Sequence, residues 1–215
     1  LIGLSVLIAL CSCEVVNPHD APTMNKNNIS EFCDNVFSYE INERIKSFHQ
    51  LYYIGKFIEA GPEEQVSAKY DEIRTNLRKG TGSYSFNSMS ITYSKELPFT
   101  VGSVWTVNHN YRRKETITMR SENEWKLESS DGVTILITVI SADDAGMKLN
   151  VQVKGEWTEE SSYRAKYRSE DIDVEIINKN PIALDTCYYS GLLEFDFYKK
   201  NSKIMHCDMT LRAGT

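Results

Sequence analysis

The chain has 215 residues, of which 41% are hydrophobic and 25% are charged. That length suits one domain or two small ones, and it is enough to bury roughly 70% of the unfolded surface. The formal net charge of −6 and the pI near 5.3 argue against a nucleic-acid partner, because that affinity comes mainly from neutralising phosphates with Lys and Arg.

The first ten residues form an apolar, uncharged run that ends in Leu10-Cys11-Ser12-Cys13, after which the sequence turns polar. This pattern resembles the lipobox of bacterial lipoproteins, in which an aliphatic residue and two small residues precede a cysteine that is lipidated after cleavage. The resemblance covers only residues 1–14 and concerns targeting alone. It implies a lipid on Cys13 and a signal-peptide remnant over residues 1–12.

The apolar run is too short to cross a bilayer, which needs ~20 residues. A signal peptide normally opens with Met and a basic stretch, and neither precedes Leu1, so we expect the natural chain to begin earlier. We therefore expect a lipid-anchored protein of the cell envelope, on the periplasmic side or at the cell surface, whose first partner is the membrane that holds its lipid.

Beyond Cys13 and the signal, three cysteines remain: Cys33, Cys187 and Cys207. An exported protein can oxidise such a pair. A hairpin turn at residues 201–202 would set Cys207 near Glu194 or Phe195, so we expect no direct bond between Cys187 and Cys207. Three small buried thiols are the simpler expectation, since free Cys is among the most buried residue types.

Residues 13–27 carry the lipidated cysteine and a stretch rich in Pro and Asn, which predicts a flexible tether. A helix is expected from Asn28, which suits an N-cap with Glu31 three residues on. Its apolar residues recur at three- and four-residue spacing and therefore share one face: Phe32, Cys33, Val36, Phe37, Ile41, Ile45, Phe48 and Tyr52. Gly61-Pro62-Glu63-Glu64 predicts the end of this helix and the start of a second one, which closes near residue 80.

From Gly82 the apolar period changes to two, which predicts an antiparallel β-meander of about 8–10 strands. The candidate strands lie around residues 84–93, 104–110, 116–120, 125–128, 133–140, 148–157, 163–176, 192–198 and 203–211. Slips in the alternation predict a bulge near Asn87-Ser88, and a bulge or short turn near Ser169-Glu170. The clearest hairpin would place six residues on the buried face, with the first three opposite the last three: Leu136, Thr138 and Ile140, and Val153, Val151 and Leu149.

Helices first and strands afterwards predict an α+β class, with an N-terminal helix pair packed on a curved antiparallel sheet. We expect a single domain over residues 28–215, with helices over about 28–80 and the sheet over about 82–213.

The common catalytic and metal-binding motifs are missing from the sequence: G-x-S-x-G, H-E-x-x-H, the phosphate-binding G-x-x-x-x-G-K and the EF-hand loop. His206 and Cys207 are adjacent on a predicted strand and would point to opposite faces, so they should not share a metal ion. Acidic pairs at Asp143-Asp144 and Glu159-Glu160 stand beside turns, where such residues are common. We therefore predict no catalytic residue, no metal and no cofactor.

Two groups of residues are candidates for ligand binding. The first is aromatic, and its members combine a large apolar face with a polar tip: Trp105, Trp125, Trp157, Tyr163 and Tyr167. Packing in the core explains these residues as well as ligand contact does. The second is a basic comb, Arg164, Lys166 and Arg168, which suits either a solvated strand edge or an anionic ligand group.

Together these features favour a lipid-anchored, non-enzymatic binding lipoprotein whose ligand is a glycan, a lipid or an envelope protein. The alternative is a cell-envelope hydrolase with an active site of unfamiliar pattern.

Overall fold

In the computed structural model, the described residues are 8–15, 26–60, 83–86, 89–93, 101–102, 104–109, 113–143, 145–158, 163–180, 183–199 and 201–212. The chain divides into two compact units. Residues 1–45 and 139–215 form the first unit, and residues 46–138 form the second.

One helical stretch runs through residues 26–60. It consists of α1 (Lys26–Val36), a π-helical turn (Phe37–Asn42) and α2 (Glu43–Ala60). The predicted apolar stripe is confirmed by its fully buried members: Cys33, Val36, Ile41, Ile45 and Phe48. The predicted N-cap was wrong, because the helix already begins two residues before Asn28.

This stretch is the only helix within the described residues, so the expected helix pair is not supported there and the class is mostly β. The second predicted helix, residues 62–80, lies outside the described residues. No helix in the described part of the chain is long and apolar enough to span a membrane.

Eleven strands are described. They are β1 (Ile8–Val15), β2 (Ser83–Phe86), β3 (Met89–Tyr93), β4 (Val104–His109), β5 (Arg113–Met119), β6 (Glu124–Ser129), β7 (Thr134–Asp143), β8 (Gly146–Thr158), β9 (Tyr163–Asn180), β10 (Ala183–Lys199) and β11 (Ser202–Arg212).

Within each unit, neighbouring strands are antiparallel, which confirms the predicted sheet type. The order is β1-β11-β10-β9-β8 in the first unit and β6-β5-β4-β3-β2 in the second, where β6 also pairs with residues 134–138 of β7. The number of strands exceeds the expected number partly because β1 lies in residues expected to belong to the signal and the tether. Residues 16–25, the rest of the predicted tether, lie outside the described residues.

The two predicted bulges had opposite outcomes. The first was wrong, because Phe86 pairs with Met89 and the chain reverses between β2 and β3 instead of continuing as one bulged strand. The second is confirmed: Val151 pairs with Ile172 whereas Val153 pairs with Ser169, so β9 carries one extra residue against β8. The alternation in the sequence slips equally at a bulge and at a two-residue turn, so it could not distinguish them.

The predicted faces of β7 were also wrong. The buried residues of β7 are Ile135, Ile137 and Val139, whereas Leu136 lies on the other face. The loop after β7 is closed by the Asp143 carboxylate, which accepts the backbone N–H groups of Ala145 and Gly146. Successive side chains of a strand point to opposite faces. An error of one residue in the assumed length of the loop therefore exchanges the two faces of the strand.

The inner face of the sheet in the first unit is apolar and packs against the helical stretch. The ring of Phe32 meets Phe197 at 5.4 Å and Trp157 at 6.4 Å, and the ring of Phe37 meets Tyr189 edge-on at 4.9 Å. These rings exclude water from the inner face, which leaves the opposite face of the same strands in solvent.

A disulfide joins Cys13 of β1 to Cys207 of β11, whose residues pair directly. The expected thiol at Cys207 was therefore wrong, although Cys207 stands opposite Phe195, one of the two positions expected for it. Cys33 is a buried thiol and Cys187 is a half-buried one. Because β1 lies at one edge of the sheet, this bond ties the edge strand to its neighbour.

Candidate functional site on the outer face of the sheet

Charged side chains cluster on the outer face of β9, β10 and β11. They occupy alternate positions, and the residues between them face the interior. We define the outer polar patch as Arg164, Lys166, Arg168, Glu194, Asp196, Tyr198, His206 and Asp208. The patch follows from the two-residue period of the strands, because buried residues such as Ala165, Phe195 and Cys207 alternate with its members.

The basic comb lies directly beside β10. Arg168 is paired in register with Glu194, and its Nε is 2.5 Å from Glu194 Oε2. The ring of Tyr198 has the Arg164 guanidinium at 5.3 Å and Lys166 Nζ at 5.5 Å. The three cations therefore belong to one organised surface, held by a carboxylate at one end and by an aromatic ring at the other.

His206 lies between two carboxylates. Its Nδ1 is 2.7 Å from Asp196 Oδ1, and its Nε2 is 3.0 Å from Asp208 Oδ1. Lys203 Nζ also lies 2.5 Å from Asp196 Oδ1. Burial raises the pKa of Asp196, but hydrogen bonds from Lys203 and His206 outweigh it and hold that pKa below its ordinary value. Asp196 is therefore a carboxylate that receives both partners.

A third carboxylate completes this arrangement. Glu194 pairs directly with Asp208 across β10 and β11. One side-chain oxygen or nitrogen from each of Glu194, His206 and Asp208 lies within 4.8 Å of the others. We call these three residues together with Asp196 the acid–histidine cluster.

This cluster was missed in the sequence because His206 was weighed with cysteines and other histidines, and not with the carboxylates. The structure confirms that the adjacent His206 and Cys207 face opposite sides, since Cys207 is buried and His206 is half-exposed. The signal was nevertheless present: a turn that sets Cys207 opposite Phe195 also sets His206 opposite Asp196. The same register sets Glu194 opposite Asp208, so it places all three carboxylates beside the histidine.

The aromatic candidates whose side chains are described do not join the patch. Trp125 and Tyr167 are buried in the cores of different units, and Trp157 is half-buried against Phe32. The side chains of Trp105 and Tyr163 lie outside the described residues. Of the predicted ligand-binding residues that the structure describes, only the basic comb reaches the outer face.

A second set of polar groups lies beneath the helix. Arg44 donates to the carboxylate of Glu40 and, at 2.7 Å, to its backbone carbonyl, and both residues are buried. The Tyr189 hydroxyl donates to Asn42 Oδ1 at 2.7 Å. The Tyr189–Asn42 bond holds the π-helical turn against β10, and the Arg44–Glu40 pair is closed to solvent, so both fit a structural role better than a ligand site.

The chain matches no protein-family model, no curated protein and no solved structure.

Proposed function

We propose that the chain is an exported, lipid-anchored, non-enzymatic binding protein whose ligand contacts the outer polar patch. The observation that carries the proposal is the row of cations on β9, at successive outward positions beside the carboxylates and the tyrosine of β10. Contacts among these side chains already restrict their rotamers. They therefore lose little conformational entropy when a ligand binds, which favours binding affinity.

Of the three expected ligand classes, a protein fits this surface best. The aromatic candidates with described side chains pack toward the interior, which argues against a sugar-stacking platform on this face. The inner face is filled by the rings of the helix, which argues against a lipid cavity there. A patch of mixed charge provides the complementarity that protein partners use for orientation and specificity.

The proposed anchor rests on the sequence Leu10-Cys11-Ser12-Cys13 and has a chemical consequence. One sulfur cannot be both a lipid thioether and half of a disulfide, so a chain lipidated at Cys13 would carry Cys207 as a thiol. Cleavage before Cys13 would also remove residues 8–12 of β1.

The anchor is tested by expressing the complete gene with its native start and following lipid labelling and membrane fractionation. Cys13→Ala should abolish both, whereas Cys207→Ala should leave both intact. Continued labelling of the Cys13→Ala chain, or its loss in the Cys207→Ala chain, would contradict the assignment.

The alternative hydrolase has one feature in its favour, the Asp196–His206 pair, since a carboxylate often orients a catalytic histidine. The other nitrogen of His206 faces the carboxylate of Asp208 instead of a hydroxyl or thiol. The described residues thus give this histidine no nucleophile, and binding remains the better proposal.

Site-specific photo-crosslinking tests the binding surface. In one variant a photoreactive residue replaces Lys154, which stands opposite Arg168, so the comb itself stays intact. In the control variant it replaces Lys148 of the same strand, which stands opposite Glu175. We expect a protein crosslink from position 154 that is absent from position 148 and is lost in Arg164→Glu/Arg168→Glu. Equal crosslinks from both positions, or a crosslink that survives the charge reversal, would contradict the proposal.

A further inference from the structure

We propose that Glu194, His206 and Asp208 bind a divalent transition-metal cation of the zinc class on the outer face, with Asp196 holding the histidine from behind. Such a site depends on β10 and β11 alone, so it would exist with or without a lipid on Cys13.

The histidine provides the first argument. A neutral imidazole carries one N–H, so it can donate to only one of the two carboxylates that face its nitrogens. The Nδ1 contact of 2.7 Å with Asp196 is the shorter one and places the N–H there. The lone pair of Nε2 then points toward Asp208 Oδ1 at 3.0 Å, an arrangement that is repulsive unless a cation or a second proton lies between them.

The carboxylates provide the second argument. Asp208 Oδ1 is buried, and with the His206 N–H on Nδ1 no hydrogen bond reaches it from the described residues, because His206 Nε2 at 3.0 Å then faces it with a lone pair. Glu194 stands directly opposite Asp208 across the strands, and like charges in that position repel each other. A divalent cation between Glu194, His206 and Asp208 would remove the repulsion and supply the missing partner of Asp208 Oδ1.

The surrounding groups complete a familiar arrangement. Metal-bound histidines usually donate their other N–H to a carboxylate, which fixes the ring. Asp196 is that carboxylate, and Lys203 holds Asp196 in turn. Arg168 engages one oxygen of Glu194, and a carboxylate has a second oxygen for a cation.

The ligand types select the metal. Imidazole nitrogen suits zinc and its transition-metal neighbours, whereas calcium and magnesium prefer sites built from oxygen alone. Three protein ligands leave a coordination position for water or for a group of a bound partner.

Isothermal titration of the purified full chain with Zn²⁺ at neutral pH tests the proposal, with Ca²⁺ and Mg²⁺ in parallel. We expect one Zn²⁺ per chain and much weaker heats from the two hard cations. His206→Gln should abolish the site, and Asp196→Asn, which keeps all three ligands, should weaken it by about 10- to 100-fold. The control Asp173→Asn changes an exposed carboxylate of β9 and should bind as the parent does.

A second readout covers the case in which a variant is unstable. Zn²⁺ should raise the unfolding temperature of the parent chain and of Asp173→Asn, because a ligand of the folded state stabilises it by mass action. It should not raise that of Glu194→Gln/Asp208→Asn, whose fold is checked by circular dichroism. Failure of the parent to bind Zn²⁺, unchanged binding in His206→Gln, or Ca²⁺ binding as tight as Zn²⁺ binding would overturn the proposal.

Discussion

The two faces of β8–β11 differ in burial and charge, although they are built from alternate residues of the same strands. On β9, Ala165 and Tyr167 are buried whereas Lys166 and Arg168 are exposed. The inner face meets the rings of the helix, and the outer face carries the polar patch. The packed face and the polar face are therefore separated by a single residue step along each strand, so substitutions one residue apart should differ in their effect on stability.

The largest expected effect is on the inner face. Phe195 is fully buried and lies 6.1 Å from the ring of Tyr167 and 6.4 Å from that of Phe197. Phe195→Ala removes this packing and should cost about 3–5 kcal/mol of unfolding free energy, measured by urea denaturation. Tyr198→Ala is the matched control, because it removes an aromatic ring from the outer face of the same strand. A smaller loss for Phe195→Ala than for Tyr198→Ala would contradict the assignment of the faces.

A smaller effect is expected at Gly155, where the sheet admits no side chain. A Cβ at this position would lie 2.3 Å from the ring of Tyr167, which is itself buried. Gly155→Ala should therefore cost about 1–3 kcal/mol of unfolding free energy through overpacking. Adding Tyr167→Leu should recover part of that cost in a double-mutant cycle. Additive losses would show that the ring does not occupy this space.

Tyr189 gives a still smaller effect with a pH signature. Burial, and then the neighbouring Cys187, raise the pKa of Tyr189 well above its ordinary value. The folded chain therefore keeps this proton to higher pH than the unfolded chain does. The resulting stability is present below pH ~10 and is lost as the pH rises beyond that value.

Tyr189→Phe removes the titrating group and its hydrogen bond to Asn42, at a cost of about 1 kcal/mol at neutral pH. The difference in unfolding free energy between the two chains should narrow as the pH rises above ~10. A constant difference across the alkaline range would show that Tyr189 is not buried.

Much of the first unit's fold was predictable because the apolar residues of its helix and strands recur at a regular spacing. The stripe from Cys33 to Ile45, most strand positions and the bulge near Ser169 follow from which residues are apolar. The reversal between Phe86 and Met89 and the faces of β7 did not follow, since one residue at a turn decides them. The buried Glu40–Arg44 pair was missed because each residue looks like ordinary helix surface until its partner is known.

The candidate site was predictable only in part. Arg164, Lys166 and Arg168 stand two residues apart, so their common face could be seen in the sequence. The acid–histidine cluster needs the exact pairing of β10 with β11, and the turn at residues 201–202 left two registers open, with Cys207 near Glu194 or near Phe195.

The most direct test of this account compares the two faces in one measurement, the urea unfolding free energy of Arg164→Gln/Lys166→Gln/Arg168→Gln against that of Phe195→Ala. If the comb serves recognition, its removal should cost far less unfolding free energy than Phe195→Ala does, because exposed ion pairs contribute little to stability. The near-ultraviolet circular dichroism should also stay unchanged. A loss as large as that of Phe195→Ala would contradict the account, because it would make the outer face a part of what holds the fold together.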